Sequence, residues 1–300
     1  MTSLSYSIGV DIGGTKIAAV ILDERGAIVH RSKVNSITND KEVMFQQVVT
    51  CIHGMIEEAE IPLYKVGGMG VGVPGKVDRE EGLAVYQNNL PWDNFPIVAR
   101  LQEMFPISKI SIENDVYMAA YAEWEQAMLQ KESTFVYITI STGIACSIIH
   151  NGIFLRGKGF AGEMGMYPIR NIFGDDSSLE QVASGPAIER IARQMLGKQI
   201  QSTHDFFQVY QKGDLNAKRI MISIVDAIAQ GMYIVISLLD PHLIVLGGGV
   251  INHNPILLDL VKSELRKRLI PEQEGAEERI QLSQLKDDSG VIGAGLIGSC

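Results

Sequence analysis

The sequence predicts a two-domain α/β protein. Its 300 residues are too many for one simple core and too few for three domains. Short apolar segments that end in turn residues alternate with longer segments whose apolar residues recur at helical spacing. Two hairpins with small polar turns, at residues 11–15 and 141–143, open the two halves of the chain and suggest an internal duplication.

The elements are assigned in chain order, helices by apolar periodicity and strands by short apolar segments between turns. Strands are predicted at residues 7–10, 16–22, 27–33, 66–73, 107–113, 134–149 (as a hairpin) and 243–246. Helices are predicted at residues 40–60, 97–104, 117–129, 179–195, 217–239, 254–268 and 290–298. We expect a first domain of residues 1–116, completed by the closing helix at 290–300, and a second domain of residues 117–289. An acidic segment at 273–278 is predicted to be a mobile loop.

Composition and charge argue against several classes of function. With 26 basic and 35 acidic residues the formal net charge is −9, which disfavours nucleic acid or an anionic membrane as a partner. The three cysteines cannot build a disulfide framework or a four-cysteine metal site, so a cytoplasmic location is expected. The first residues show no export signal. Residues 133–155 are uncharged, but their polar side chains and glycines favour a hairpin over a membrane span.

The glycine motif at residues 70–75 (GVGVPG) has the spacing of a dinucleotide-binding fingerprint but not its context. In that fingerprint the glycines lie between a strand and a helix that receives the pyrophosphate. The residues that follow here, VDREEG at 77–82, do not predict an apolar helix. We therefore interpret the motif as a strand whose glycines allow close backbone approach. The six histidines form no HxxxH pair, so none is predicted to bind metal.

A tight strand–turn–strand at residues 11–16 (DIGGTK) has the composition of a phosphate-binding turn. Gly13 and Gly14 leave the backbone bare, so its N–H groups and the Thr15 hydroxyl can face phosphate oxygens. Asp11 ends a buried strand, where an unpaired carboxylate is costly, and a Mg²⁺-bound water would satisfy it. The alternative is an ordinary hairpin turn with a structural aspartate.

Two segments of the second half also suit a nucleotide. The turn at residues 141–143 (STG) is as small and polar as the first, and two such loops facing each other would hold a polyphosphate between two domains. The alternative for this turn is a plain hairpin. The strand at 243–246 ends in three glycines at 247–249, which leave a flat shelf for a nucleoside.

Polar groups suited to a polyhydroxylated ligand lie at three further turns. Residues 113–115 (END) end a strand and begin a helix, where Asp115 can accept a proton while Asn114 orients a hydroxyl. The alternative there is helix capping, the commoner use of asparagine and aspartate. Residues 88–92 (NNLPW) place paired amides beside a ring, and residues 162–165 (GEMG) place another acid in a turn. Such amides, carboxylates and rings are what a sugar requires.

Taken in order, these motifs resemble the ROK family (repressor, open reading frame, kinase), the bacterial sugar kinases of the actin-like ATPase superfamily. The motifs are DIGGTK, GVGVPG, NNLPW, ENDV, STG, AGEMG, LEQVASG and LDPHLIVLGGG, and they extend over residues 11–298. The resemblance implies two α/β domains of the ribonuclease-H-like type around a central cleft. It also implies a homodimeric enzyme that acts on a small-molecule sugar.

The resemblance assigns roles to the residues that match its motifs. Asp115 is the expected general base. The residues expected to bind sugar, together with Asp115, are Asn89, Asn114, Glu163 and Glu180. The residues expected to serve ATP are Asp11, Gly13, Gly14, Thr15, Lys16, Thr142, Gly143, Gly247, Gly248 and Gly249, with Asp11 holding Mg²⁺ through water.

The chain departs from the family pattern at two places. Residues 144–147 (IACS) are poorer in glycine than the usual second phosphate loop, which leaves that loop's phosphate contacts open. The family's zinc motif is also absent, since residues 171–178 replace its three cysteines and Met166 replaces its histidine. Because all four ligands are missing together, we expect a zinc-free variant. Its segment would be held by packing of Ile169, Ile172, Phe173 and Leu179, and the alternative is a mobile loop that becomes ordered only when sugar binds.

These inferences predict an ATP- and Mg²⁺-dependent hexose kinase that phosphorylates the 6-hydroxyl of a sugar, with glucose mildly favoured by Glu180. Alternatives within the class are N-acetylmannosamine, β-glucoside, fructose and amino-sugar kinases. A sugar-responsive repressor would need a DNA-binding helix-turn-helix, and only about ten residues precede Asp11. A non-catalytic sugar-binding regulator is the remaining alternative, and Asp115 with the two phosphate turns argues against it.

Overall fold

The computed structural model describes residues 5–87, 89–170 and 174–299. The chain divides into two units, Met1–Ala127 with Asp288–Cys300, and Met128–Asp287. The strands are β1 (Tyr6–Ile12), β2 (Lys16–Asp23), β3 (Ile28–Asn35), β4 (Val66–Val73), β5 (Lys76–Asp78), β6 (Leu83–Tyr86), β7 (Asp93–Phe95), β8 (Ile110–Asn114), β9 (Thr134–Ile140), β10 (Ile144–His150), β11 (Ile153–Phe154), β12 (Pro168–Arg170), β13 (Asp176–Ser178), β14 (Leu243–Gly247) and β15 (Ile280–Leu282). The helices are α1 (Lys41–Ala59), α2 (Ile97–Met104), α3 (Asp115–Ala127), α4 (Leu179–Ala183), α5 (Gly185–Leu196), α6 (Thr203–Gln211), α7 (Leu215–Leu239), α8 (Gly249–Asn252), α9 (Ile256–Arg266) and α10 (Ser289–Ser299).

Five strands of the first unit form a mixed sheet in the order β3-β2-β1-β4-β8. β1, β2 and β3 are antiparallel neighbours, whereas β4 pairs parallel with β1 and β8 parallel with β4. Successive residues of a strand point to opposite faces. Ile8, Val10 and Ile12 of β1 therefore share one buried cluster with the apolar face of α1, while Gly9 lies against α10.

The closing helix α10 packs on this sheet through glycines of both elements. A β-carbon at Gly68 would overlap the carbonyl oxygen of Gly298, and one at Gly70 would overlap that of Ala294. Side chains are excluded there, which confirms the interpretation of β4 as a strand whose glycines allow close backbone approach. β4 leads through a turn to β5, so the helix that a dinucleotide-binding fingerprint requires does not follow it.

Helix α3 belongs to the first unit, whereas the sequence placed the domain boundary before it, at residue 116. The physical reason is its contact with α10. The Ser289 hydroxyl donates a hydrogen bond to Oε1 of Glu123 at 2.7 Å, and both residues are buried. A β-carbon at Gly293 would overlap the Met118 carbonyl oxygen, so the two helix backbones touch directly.

The second unit has a five-stranded sheet in the order β11-β10-β9-β14-β15. β9 and β10 are antiparallel, as the predicted hairpin requires, and β14 runs parallel to both β9 and β15. The strand order β10-β9-β14 repeats the order β2-β1-β4 of the first unit. The two hairpins that suggested a duplication therefore occupy equivalent places in two similar sheets.

Helix α7 runs through the core of the second unit. Its buried residues lie on almost every face, and they include Ile224, Ile228 and Met232. Among the described residues it is the one helix long and apolar enough to cross a membrane, and just over half of that stretch is buried within the protein. A buried core helix meets the same criterion, so this feature is weak support for a membrane span.

Several elements differ from the prediction. The helix expected over 179–195 is two helices, because Ser184 adopts an extended backbone (ψ 160°) and caps α5. The segment expected to be a mobile loop at 273–278 overlaps two 3₁₀ turns, and its Glu277 is buried in an ion pair with Arg266. The prediction omits β5, β6, β7, β11, β12, β13, β15, α6 and α8. Most of these contain two to four residues, too few for a periodic pattern.

Candidate functional site

The turn between β1 and β2 is anchored by hydrogen bonds and leaves its tip exposed. The Gly13 N–H donates to the Lys16 carbonyl at 2.9 Å. Ser36 holds the turn from the end of β3, since its hydroxyl donates to the Gly13 carbonyl at 2.6 Å and its N–H to the Thr15 carbonyl at 3.0 Å. A β-carbon at Gly14 would lie 3.0 Å from Cβ of Asn89. The structure thus brings this turn against a residue predicted to bind sugar.

Asp11 lies two residues before this turn, at the end of β1. Desolvation by burial raises the pKa of Asp11 to about 6, and the charge of Lys16 opposes that rise. The first turn of α10 lies beside the carboxylate, because the β-carbon position of Gly290 is 3.1 Å from Oδ2 of Asp11. A desolvated carboxylate is stabilised by a cation, and oxygen is the ligand that Mg²⁺ prefers. The residue therefore fits the metal role predicted for it.

The predicted general base Asp115 and the predicted sugar-binding residue Asn114 lie at the junction of β8 and α3. Oδ1 of Asp115 and Oδ1 of Asn114 both accept the Val116 N–H, each at 2.9 Å. Nδ2 of Asn114 donates to the Gly75 carbonyl at 2.9 Å, and the Asn114 N–H donates to Oε1 of the buried Glu113 at 2.9 Å. Asn114 and Asp115 therefore cap the start of α3, as the capping alternative predicts. Carboxylates and amides have further hydrogen-bonding capacity, so capping and substrate binding are compatible.

Two residues beside this junction are missing from the sequence prediction. Gly75 has a φ of +79°, and a β-carbon there would overlap the Tyr86 carbonyl oxygen, so the carbonyl that holds Asn114 belongs to an obligatory glycine. The Pro–Gly pair after β4 was the available signal. Gln87 is buried, and its Nε2 donates to the Lys76 carbonyl at 3.1 Å. Gln87 follows the short strand β6, and a single polar residue after a strand gives no comparable signal.

In the second unit the turn at residues 141–143 contacts the start of α4. Oε2 of Glu180 accepts the Ile144 N–H at 2.9 Å, and the β-carbon position of Gly143 lies 2.8 Å from the same oxygen. Ile144 is the first residue of β10 and is buried, whereas Thr142 is exposed at the tip of the turn. A residue predicted to bind sugar therefore lies directly against the second predicted phosphate turn.

Glu163 lies in the turn that precedes the 3₁₀ segment Met164–Met166. Desolvation raises the pKa of Glu163, and the negative charge of Glu180 raises it further. The preceding Gly162 is required by close packing, since its φ is +96° and a β-carbon would overlap the Cys146 carbonyl oxygen. The two glutamates predicted to bind sugar are thus electrostatic neighbours in one unit.

Gly247 at the end of β14 and Gly248 just after it lie against β9. Gly248 has a φ of +88°, and a β-carbon there would lie 2.5 Å from the Ile140 carbonyl oxygen and 2.6 Å from Oγ1 of Thr139. A β-carbon at Gly247 would overlap the Tyr137 hydroxyl, whereas one at Gly249 would lie 4.0 Å from Nδ1 of His253, at ordinary contact distance. Because Ile140 directly precedes residues 141–143, the predicted nucleoside shelf and the second phosphate turn are adjacent.

Pairing and packing hold the described residues on either side of 171–173, where the family's zinc motif is replaced. β12 and β13 form a two-stranded sheet, and Nε of Arg170 donates to the Gly174 carbonyl at 3.0 Å. Ile169 and Leu179 are buried in the core of the unit, as expected, while Ile172 and Phe173 lie outside the described residues. Met166 is 62% exposed. In the described part of the chain no three His, Cys, Asp or Glu residues are grouped as metal ligands.

The fold and these groups of residues define the class of protein. Each unit has a mixed sheet in which an antiparallel hairpin is followed by a parallel strand, and helices cover the sheet. This is the architecture of the actin-like ATPase fold. A crystal structure of a ROK family glucokinase from Streptomyces griseus, in complex with glucose and AMPPNP, has this fold. It is 27% identical to the chain, with a TM-score of 0.80, and the match covers 98% of this chain and 99% of that one.

The chain belongs to the ROK family, whose model matches residues 7–298. A glucokinase from Thermotoga maritima is 28% identical, and the match covers 97% of this chain and 96% of the relative. A xylose repressor from Bacillus spizizenii is 26% identical, over 96% of this chain and 75% of the repressor. Both enzymes and regulators are therefore among the proteins that this chain resembles.

Proposed function

We propose that the protein is an ATP- and Mg²⁺-dependent hexose kinase that phosphorylates the 6-hydroxyl of glucose. The observation that carries this proposal is the junction of β8 and α3, where Asp115 and Asn114 share the Val116 N–H and Asn114 is also held by the Gly75 carbonyl. A carboxylate oriented in this way is suited to accept a proton from a substrate hydroxyl. Glucokinases among the relatives support the choice of a sugar as the substrate.

The chemistry requires positioning more than covalent catalysis. Asp115 accepts the proton of the 6-hydroxyl while the hydroxyl oxygen attacks the terminal phosphorus of ATP, and the bond from that phosphorus to the bridging oxygen breaks to release ADP. Asn89, Asn114, Glu163 and Glu180 hold the other hydroxyls of the sugar through hydrogen bonds to amides and carboxylates. Met166 offers no hydrogen bond to the ring, so discrimination against changes near the anomeric end should be weak.

The nucleotide is assigned to turns of both units. Gly13, Gly14, Thr15 and Lys16 would hold phosphates in the first unit, and Thr142, Gly143 and the glycines at 247–249 would hold the nucleotide in the second. Asp11 would hold Mg²⁺ through water. The metal neutralises charge on the phosphates when it is bound.

We also propose a cytoplasmic homodimer. The two described cysteines, Cys51 and Cys146, are free thiols buried in the core, and burial raises the pKa of Cys146 to about 12. Such thiols act as small core residues, which supports a reducing compartment. Sedimentation of the purified protein, over a range of concentrations, tests the dimer directly.

A coupled assay of ADP release tests the enzymatic function. The panel is glucose, fructose, glucosamine, N-acetylglucosamine, N-acetylmannosamine and a β-glucoside, each with MgATP. We expect turnover with glucose, and measurable turnover with sugars altered at the 2-position. Turnover with another hexose and not with glucose would change the proposed substrate and leave the proposed kinase function in place. Sugar binding without turnover on any member of the panel would favour a regulator, as the similarity to a xylose repressor allows.

A further inference from the structure

One carboxylate oxygen of Glu180 joins three segments of the second unit. Oε2 accepts the N–H of Ile144 at 2.9 Å. The β-carbon position of Gly143 lies 2.8 Å from that oxygen, and the position of Gly165 lies 3.0 Å from it. A side chain at either glycine would displace the carboxylate. The second phosphate turn, the 3₁₀ segment that follows Glu163, and helix α4 therefore meet at a single atom.

The other end of α4 also contacts the phosphate turn. The Ser141 carbonyl accepts the Gly185 N–H at 2.8 Å, at the break between α4 and α5. Within the turn, the Ser141 N–H donates to the Gly143 carbonyl at 2.9 Å. The segment 141–144 is thus held by Glu180 near the start of α4 and by Gly185 just after its end. A small displacement of α4 would move the turn with it.

The oxygen that holds this turn also carries negative charge. A carboxylate so close to Gly143 opposes the approach of a polyphosphate. Glu163 adds a second negative charge, since it interacts electrostatically with Glu180. Hydroxyl groups that donate to an ionised carboxylate form strong hydrogen bonds and spread its charge. A sugar bound to these glutamates would therefore lower the electrostatic cost of placing phosphate at the turn.

We infer that Glu180 couples the two substrates: its Oε2 positions the phosphate turn, and sugar hydroxyls on its Oε1 make that turn bind nucleotide more tightly. The inference rests on the proposed function and adds a positioning role to a residue assigned only to sugar. Coupling between two ligands is reciprocal, so nucleotide raises the affinity for sugar by the same factor. We expect a factor of about ten.

The test measures the dissociation constant of a non-hydrolysable ATP analogue by calorimetry, with Mg²⁺ present, without glucose and at saturating glucose. The wild-type protein should bind the analogue about tenfold more tightly with glucose. Glu180→Gln keeps an oxygen that can accept the Ile144 N–H but removes the charge. This variant should bind the analogue without glucose at least as tightly as wild type, and glucose should change its affinity less than about twofold.

Glu180→Ala removes both the charge and the hydrogen bond. The Ile144 N–H then loses its partner, and nucleotide affinity without glucose should fall about tenfold. Glu163→Gln is the matched control, because it removes the neighbouring carboxylate and leaves the bond to Ile144 intact. It should weaken glucose binding without lowering nucleotide affinity in the absence of glucose. Circular dichroism checks each fold, and if Glu180→Ala does not fold, Glu180→Gln alone decides.

Two outcomes would overturn the inference. One is a glucose effect in Glu180→Gln as large as in wild type. The other is a folded Glu180→Ala that binds nucleotide normally and loses affinity for glucose alone. The coupled assay separates this failure from failure of the proposed function. A wild-type protein that phosphorylates no hexose refutes the function, whereas normal wild-type turnover with unchanged coupling in both variants refutes only the role of Glu180.

Discussion

Asp115 is oriented by the backbone of its own helix. Its Oδ1 accepts the Val116 N–H, and an asparagine at this position can accept the same hydrogen bond. Asp115→Asn should therefore keep the local structure and remove only the proton acceptor. We expect turnover to fall by about 10²–10⁴-fold with glucose affinity nearly unchanged. ADP release and calorimetric glucose binding measure the two quantities.

Asp259→Asn provides the control for this prediction. Asp259 is an exposed residue of α9, and the same substitution there should leave turnover unchanged. Turnover near the wild-type rate in folded Asp115→Asn would show that another group accepts the proton.

Glu163 should make sugar binding depend on pH. Burial of its carboxylate, followed by the charge of Glu180, raises the pKa of Glu163 above its ordinary value of 4.5. An acid with a raised pKa takes up its proton at a higher pH, and protonation removes an acceptor for sugar hydroxyls. The KM for glucose should therefore rise as the pH falls from about 7 toward the raised pKa of Glu163.

Glu163→Gln separates this titration from others in the site. A glutamine does not titrate, so the variant should have a higher KM at neutral pH and a flatter dependence on pH. An equal slope of KM against pH in the variant and the wild type would assign the titration to another residue.

At the scale of elements, the contact between α3 and α10 depends on the absence of side chains. A β-carbon at Gly293 would overlap the Met118 carbonyl oxygen, whereas Gly54 in the middle of α1 has nothing within 4 Å of that position. Gly293→Ala should therefore lower the free energy of unfolding by about 1–3 kcal/mol or more. Gly54→Ala should raise it by up to about 1 kcal/mol, because alanine favours helices.

Chemical denaturation of the two variants compares these effects. The substitution and the secondary structure are the same at both sites, so opposite signs can come only from packing. Equal effects in the two helices would mean that α3 and α10 separate to accept the methyl group at little cost.

For the whole molecule, we expect folding and activity without zinc. Structural zinc requires about four closely spaced Cys or His ligands. Residues 166–180 contain no Cys or His. The described parts of this segment are instead held by β12–β13 pairing, the bond from Arg170 to Gly174, and the buried Ile169 and Leu179.

Metal analysis of the purified protein should find well under one zinc per chain. A zinc-selective chelator, with Mg²⁺ in excess, should leave Tm and turnover unchanged. Stoichiometric zinc, or unfolding upon chelation, would mean that zinc ligands lie elsewhere in the chain and that residues 171–178 do not correspond to the family's zinc motif.

Local signals account for most of what the sequence alone predicted. The turn after Asp11, the strand-to-helix junction at Asp115 and the glycines after β14 are each specified by a few consecutive residues. Strand alternation, helical periodicity and turn chemistry act over the same short distances. The family and the fold class followed from the order of such motifs, and the match over residues 7–298 confirms the family.

The tertiary structure decided how separated residues act on one another. The sequence assigned Glu180 to sugar, and only the fold shows its carboxylate on the Ile144 N–H, 36 residues away along the chain. The place of α3 depends on the same kind of contact, since α3 joins the first unit through α10, which is far away in sequence. A sequence pattern reports the preference of each segment. Packing between distant segments depends on which backbones approach closely. These approaches form only when all the segments of the chain fold together.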